Sequence, residues 1–150
     1  MRLDQPAAVF EPQRSEQPLP IWPGMREAVL LVLGASRTPL SAYDITDELT
    51  VQYGRKRYAN SVYRVLWALT ASRDVALIAT WRKFTLSKKQ QADFGWLLCE
   101  GCQTARPISI SEISCALEKL ASEHQFKATK IVLELPGVCA SCARSSSSDG

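Results

Sequence analysis

Two C-x-x-C pairs, Cys99–Cys102 and Cys139–Cys142, are the residues of this chain whose types and spacing best suit chemistry. Each spacing lets both sulfurs of one turn face the same ion, and two such turns build a closed tetrahedral thiolate site of the kind zinc favours. Every thiol must lose its proton to bind, so metal binding would feed directly into folding free energy. The 36 residues between the pairs exceed the roughly 15–20 of a simple zinc ribbon, which leaves room for a strand and a helix between the turns. The expected cofactor is zinc in a structural role, one ion per subunit. Two other uses of the cysteines stand beside it. A thioredoxin-like dithiol needs one pair opening a helix after a strand, whereas here there are two pairs and neither clearly opens a helix. An iron–sulfur cluster also takes four cysteines. Cys115 has no partner nearby and is expected to be a small packing residue. No Ser/His/Asp arrangement, phosphate loop or catalytic carboxylate pair is present, and His124, the only histidine, leaves little for acid–base work. The expectation is a protein that is not an enzyme and has no small-molecule substrate.

The cysteines need strands to hold them. An apolar strand from Phe94 to Leu98 should lead into the first pair, with a second strand over Ala105–Ile108. Ser109 and Glu112 have the S-x-x-E spacing of a capping box, so a helix should start there, with Ile113, Leu117, Leu120 and Ala121 as its stripe and His124 near its end. Thr129 to Leu135 reads as a strand running into the second pair. Residues 143–150, rich in serine, read as a disordered tail.

The front half has a different pattern. Residues 1–22, with four prolines from Pro6 to Pro20, read as a flexible tail. A buried helix should follow Pro23, run through Met25–Leu33 and stop at Gly34. Ser41 can cap a second helix with Asp44 in its first turn, burying Ile45 and Leu49. Tyr53–Tyr58 is a loop carrying Arg55, Lys56 and Arg57. A third helix should begin at Asn60 or Ser61 and end near Ala71, with Val62, Val65, Leu66 and Leu69 inward at helical spacing. Tyr63, Arg64 and Trp67 lie off that stripe. Val75–Thr80 and Arg82–Leu86 read as a hairpin around Trp81. Three helices and a hairpin over 23–87 make a winged helix-turn-helix, joined by a polar hinge at 88–93 to a small α/β unit at 94–142. The fold class is α+β.

Charge supports that division. Residues 1–90 carry a balance of +5 and residues 91–150 one of −2 within a net +3, as suits a nucleic-acid-binding module joined to one that does not touch nucleic acid. No apolar run approaches the roughly 18 residues that span a bilayer, and no apolar segment follows Met1, so a cytoplasmic location without membrane contact is expected.

The third helix, Ala59-Asn60-Ser61-Val62-Tyr63-Arg64-Val65-Leu66-Trp67-Ala68-Leu69, resembles the recognition helix of the ferric uptake regulator family, whose core reads T/S-V-Y-R-x-L-x-x-L. Pro39-Leu40-Ser41-Ala42-Tyr43-Asp44 is similar to the preceding helix of the family's zinc-uptake branch. W-L-L-C-E-G-C and L-E-L-P-G-V-C-A-S-C resemble the family's dimerisation domain with its cysteine pairs. The resemblance covers about residues 25–142. It implies a homodimeric repressor that binds palindromic double-stranded operators, commonly when loaded with metal. Tyr43 and Arg64 then match base-contacting positions, and Tyr63 a DNA-contacting tyrosine. An arginine there can offer its fork to guanine in the major groove. Ser41, Asn60 and Ser61 stand at helix starts that suit phosphate, and Arg55, Lys56, Arg57, Arg82 and Lys83 would add salt-dependent attraction.

The chain also departs from the family. Metal-sensing members carry a histidine cluster before the strand that leads to the first pair; here that stretch is Gln90-Gln91-Ala92-Asp93. A common acidic position falls on Pro107, and a histidine near the last strand on Ile131, although Glu134 is retained. Asp93, Glu112, Glu134 and His124 are scattered. The expectation is a structural zinc with a sensory site lost or rebuilt, the latter through Cys115 or residues of the partner subunit. The missing histidines also motivate an alternative, a regulatory protein working through a protein partner or as a heterodimer, with weak or no DNA binding of its own.

Overall fold

The computed structural model describes residues 23–54, 56–87 and 94–146. The proline-rich start at 1–22, Arg55, the hinge at 88–93 and the last part of the tail at 147–150 lie outside the described residues.

Three helices come first along the described chain: α1 (Met25–Ala35), α2 (Ala42–Tyr53) and α3 (Ala59–Ala71). Their inward stripes meet in one core of Ala28, Val29, Val32, Leu33, Ala42, Ile45, Leu49, Val62, Leu66 and Leu69, closed by Val75 and Phe84 from the hairpin. The hairpin pairs β1 (Val75–Ile78) antiparallel with β2 (Lys83–Leu86), and Leu40 bridges to Phe84. This is the expected winged helix-turn-helix. Two edges shift. The first helix runs one residue past Gly34, which sits in its last turn. The third begins at Ala59 with Tyr58 before it, as Ser61 N–H donates to the Tyr58 carbonyl at 3.0 Å. An ion pair, Arg26 to Asp74 at 2.6 Å, ties the start of α1 to the turn after α3.

The second half is a three-stranded sheet in the order β4–β3–β5, from β3 (Phe94–Cys99), β4 (Ala105–Ser109) and β5 (Glu134–Gly137), with α4 (Ser111–Glu123) between β4 and β5 and α5 (Ala140–Ser146) at the end. β3 pairs antiparallel with β4 and parallel with β5. Phe94, Trp96 and Leu98 share one face by the strand period of two. Trp96 and Leu98 cluster there with Ile78, and Trp81 packs against them.

Four expectations need correction here. Ser109 is not a helix cap: it ends β4 opposite Phe94, and Ile110 precedes α4 with no side-chain cap. Ile110 is buried against Gly95, and burying an isoleucine is worth about 2 kcal/mol against about 1 for a capping bond. The last strand starts at Glu134 rather than Thr129, because its parallel register with β3 begins at Trp96. The tail is partly helical, since Ala143 N–H bonds the Cys139 carbonyl at 2.9 Å and starts α5. Cys115 is exposed on α4 and is not a packing residue within its own chain.

Candidate metal centre and reading helix

The first cysteine pair occupies the β3–β4 turn. Cys99 N–H bonds the Thr104 carbonyl at 3.0 Å and Gln103 N–H bonds the Cys99 carbonyl at 2.8 Å, with Gln103 left-handed at φ 58. Glu100 N–H reaches across to the Gly137 carbonyl at 2.8 Å, which clamps this turn to the end of β5. The second pair follows β5 directly. Cys139 precedes α5 and Cys142 lies inside it, so this pair does open a helix, contrary to expectation. The helix turns the Cys142 sulfur back toward the first pair.

All four sulfurs lie within 4.8 Å of one another, and Cys102 and Cys139 are 4.0 Å apart. Tetrahedral zinc with bonds near 2.3 Å asks for sulfurs roughly 3.8 Å apart. Gly101 confirms how tightly the turns approach: a β-carbon there would stand 2.9 Å from both Cβ and Sγ of Cys142. The donor set, its spacing and the glycine cradle all fit one zinc ion. The redox reading fits less well, since a dithiol needs two sulfurs and four converge here.

The thiols differ in acidity before any metal is bound. Backbone N–H groups of Cys102 and Cys139, the latter 3.2 Å from Sγ, hold Cys99 down at about 6. The Thr104 hydroxyl, 3.0 Å away, and its backbone lower Cys102. Cys142 faces the thiols of Cys139 and Cys99 and is pushed up to about 12. Like charges at this distance cannot all persist unaided, so a divalent cation is what would allow four thiolates together.

Among the described residues no other His, Cys, Asp or Glu cluster could hold a metal. Asp93 lies outside them. Glu112 and His124 stand at opposite ends of α4. Glu134 is engaged elsewhere: its two carboxylate oxygens accept Ala79 N–H at 2.7 Å and Thr80 N–H at 2.8 Å. Burial alone would raise its pKa, but the Thr80 side chain and these two backbone donors outweigh that and lower it. Sequence reasoning considered Glu134 only as a metal ligand and missed this contact, which pairs residues 55 positions apart.

The residues expected to meet DNA separate into two groups. Asn60, Ser61 and Arg64 are exposed on the outer face of α3, beside exposed Trp67. Tyr43 is exposed at the start of α2 and meets the ring of half-buried Tyr63 edge-on, and Tyr63 in turn packs on Phe84. Trp67 also leans edge-on against Phe84. Lys56 and Arg82 are exposed, while Arg57 and Lys83 are half-buried.

Ser41 is the exception. Its hydroxyl accepts Asp44 N–H at 3.1 Å, and its own N–H donates to the Asp44 carboxylate at 2.8 Å, a complete capping box. The hydroxyl and N–H of Ser41, helped by Lys83, hold the Asp44 carboxyl below the ordinary range. A depressed folded pKa stabilises above the unfolded value, and the gain is lost as pH falls through the folded one. Ser41→Ala should therefore cost about 1 kcal/mol at neutral pH, and the gap from the parent should narrow in acid to what the hydroxyl's bond with Asp44 N–H contributes. Urea melts at pH 7 and below the carboxylate range test this; a pH-independent gap would contradict it. The start of α3, by contrast, has neither a side-chain cap nor an acidic residue, so no side chain satisfies its first N–H groups, though Ser61 N–H meets the Tyr58 carbonyl.

No curated sequence matches the chain at a significant level. Solved structures do. A zinc uptake regulator complexed with zinc and DNA is similar with a TM-score of 0.76 and 21% identity, over 82% of this chain and 83% of that one. A structure described as holo XcZur gives 0.69 and 27%, over 87% and 91%. The Helicobacter pylori ferric uptake regulator Fur gives 0.59 and 24%, over 79% of each. The model of the Ferric uptake regulator family matches residues 23–136, most of the sequence, and the chain belongs to that family.

Proposed function

We propose that this protein is a zinc-dependent transcriptional repressor that binds palindromic operator DNA as a homodimer. Its family is one of metal-responsive transcriptional regulators, and the similar regulator bound to zinc and DNA supports the finer reading. The observation that carries it is the outer face of α3. Arg64 stands between Asn60 and Trp67 on an exposed surface, above a helix start free of acidic residues. Arg64 reads guanine O6 and N7, and the start of α3, which no side chain caps, takes a phosphate beside Asn60 and Ser61. Tyr43 and Tyr63 form an aromatic ledge beside the groove. Lys56, Arg57 and Arg82, with Arg55, supply phosphate attraction without base choice. Ser41 holds the start of α2 through its capping box, at a helix N-terminus that suits phosphate.

The zinc is structural, and the sensory site of relatives is degenerate in this chain. The working location is the cytoplasm; no described helix is long and apolar enough to cross a membrane.

Operator selection from random DNA, followed by titration of Arg64→Ala, tests the reading. The variant should lose about 1–3 kcal/mol of discrimination at one base pair while keeping its melting temperature and its affinity for unrelated DNA. Unchanged discrimination would remove Arg64 from the reading surface. Failure of the parent to select any sequence would end the repressor reading.

A further inference from the structure

The winged-helix module and the three-stranded sheet meet at the β1–β2 turn. Ile78 and Trp81 stand on Trp96 and Leu98 of β3. Beside them the Glu134 carboxylate, at the start of β5, receives the consecutive N–H groups of Ala79 and Thr80. The two contacts have different physics. Apolar burial is non-directional, so it attracts the turn to the sheet but tolerates sliding and rotation. Two charge-assisted bonds from adjacent amides to the two oxygens of one carboxylate fix direction. The turn is short, with Arg82 N–H closing back on the Ala79 carbonyl at 3.3 Å, and β2 continues into the core under α3 through Phe84. A rotation at the turn is therefore passed through Phe84 to the reading helix.

We propose that Glu134 is a positioning residue that locks the winged-helix module at one angle to the sheet, so that the reading helices of a dimer arrive at operator spacing already set. The lock is built from this chain's own carboxylate and backbone. Half-sites lie about one helical turn of DNA, roughly 34 Å, apart, and a module free to swing must be ordered at the moment of binding. That cost falls on operator binding and spares non-specific phosphate contact, where no angle is required. The inference rests on the DNA-binding reading above for its consequence, but not for the lock itself.

The test uses full-length, zinc-loaded protein and the variants Glu134→Gln and Glu134→Ala. In DNA-free protein, amide hydrogen exchange at Ala79 and Thr80 should be slow in the parent, faster at one amide in Glu134→Gln, which keeps one acceptor oxygen, and fast at both in Glu134→Ala. Small-angle scattering should show the Ala variant expanded. Zinc content, dimer mass and melting temperature should stay at parental values. Operator affinity should fall about tenfold, or about 1.4 kcal/mol, in Glu134→Ala and less in Glu134→Gln, with affinity for unrelated DNA unchanged. Parental exchange at both amides would overturn the lock. Equal loss on operator and unrelated DNA, or loss of zinc, would overturn the positioning role in favour of a general structural one. If the parent selects no operator, the repressor reading fails while exchange and scattering still decide the lock.

Discussion

Cys142→Ser should lower bound zinc from one ion per subunit to a small fraction and unravel the second half of the molecule. The expected size follows from the architecture. The two turns that carry the sulfurs close the β3–β4 loop and the end of β5, so the ion cross-links strands far apart in sequence. Structural zinc in small peptides contributes apparent binding energies of about 10–16 kcal/mol, comparable to or larger than the 5–15 kcal/mol that holds an ordinary domain. Part of the binding energy is spent on ordering the two turns, so several kcal/mol is the expected loss, enough to unfold this half near physiological temperature. The thiols supply two more readouts. With Cys142 pushed up to about 12 and Cys99 down at about 6, the metal-free site is partly protonated at pH 7. Zinc binding should release protons, and zinc should leave as pH falls and protons reclaim the sulfurs. In the loaded protein only exposed Cys115 should react rapidly with a thiol reagent, rising to all five cysteines after strong chelation. Metal analysis, thermal melts and thiol counts check this. A chelated protein with the parental melt would show that the four sulfurs hold nothing of structural consequence.

Leu117→Glu combined with Leu120→Glu should convert a dimer to monomers and abolish operator binding at concentrations where the parent saturates. Within one chain α4 is poorly used: of its thirteen residues only Ser114 is buried. Ile113, Leu117 and Leu120 are exposed along it, and Leu97 and Leu135, paired across β3 and β5, are exposed as well. A monomer seldom leaves so much aliphatic surface in water. On the homodimer reading proposed above, a second copy of the chain covers it. Each leucine buried at a dimer interface is worth about 2 kcal/mol, and the double variant removes four per dimer, which weakens association by several powers of ten. Because the side chains are exposed in the single chain, its zinc content should change little, while its melting temperature should lose the dimer's dependence on protein concentration. Sedimentation and operator titration check both points. A variant that stays dimeric would place the interface elsewhere.

The winged helix was legible because its signals are local. Val62, Leu66 and Leu69 repeat at helical spacing, and Ser41 with Asp44 completes its cap within four residues. Val75 to Leu86 is rich in strand formers on either side of a short turn. The cysteine pairs were legible for the same reason, as a short spacing carries their chemistry. Three misreadings came from competition beyond the local window. Ser109 has the spacing of a cap, but pairing with Phe94 and the burial of Ile110 pulled it into a strand. Thr129–Leu133 are apolar enough for a strand, yet β5 forms only where β3 offers a parallel edge. Cys115 looked like filler because the stripe of α4 suggested a helix packed within its own chain.

Residue type and spacing by themselves determined the three-helix core, the exposed face around Arg64 and the two cysteine pairs, since each depends on periodicity or on a turn of a few residues. Only the tertiary structure decided that four sulfurs meet across 40 residues of chain, that α4 is left uncovered, and that Glu134 spends both oxygens on Ala79 and Thr80. The reason is that a partner 55 residues away leaves no periodic trace: such contacts are selected by sheet register and burial, which exist only once the chain has folded.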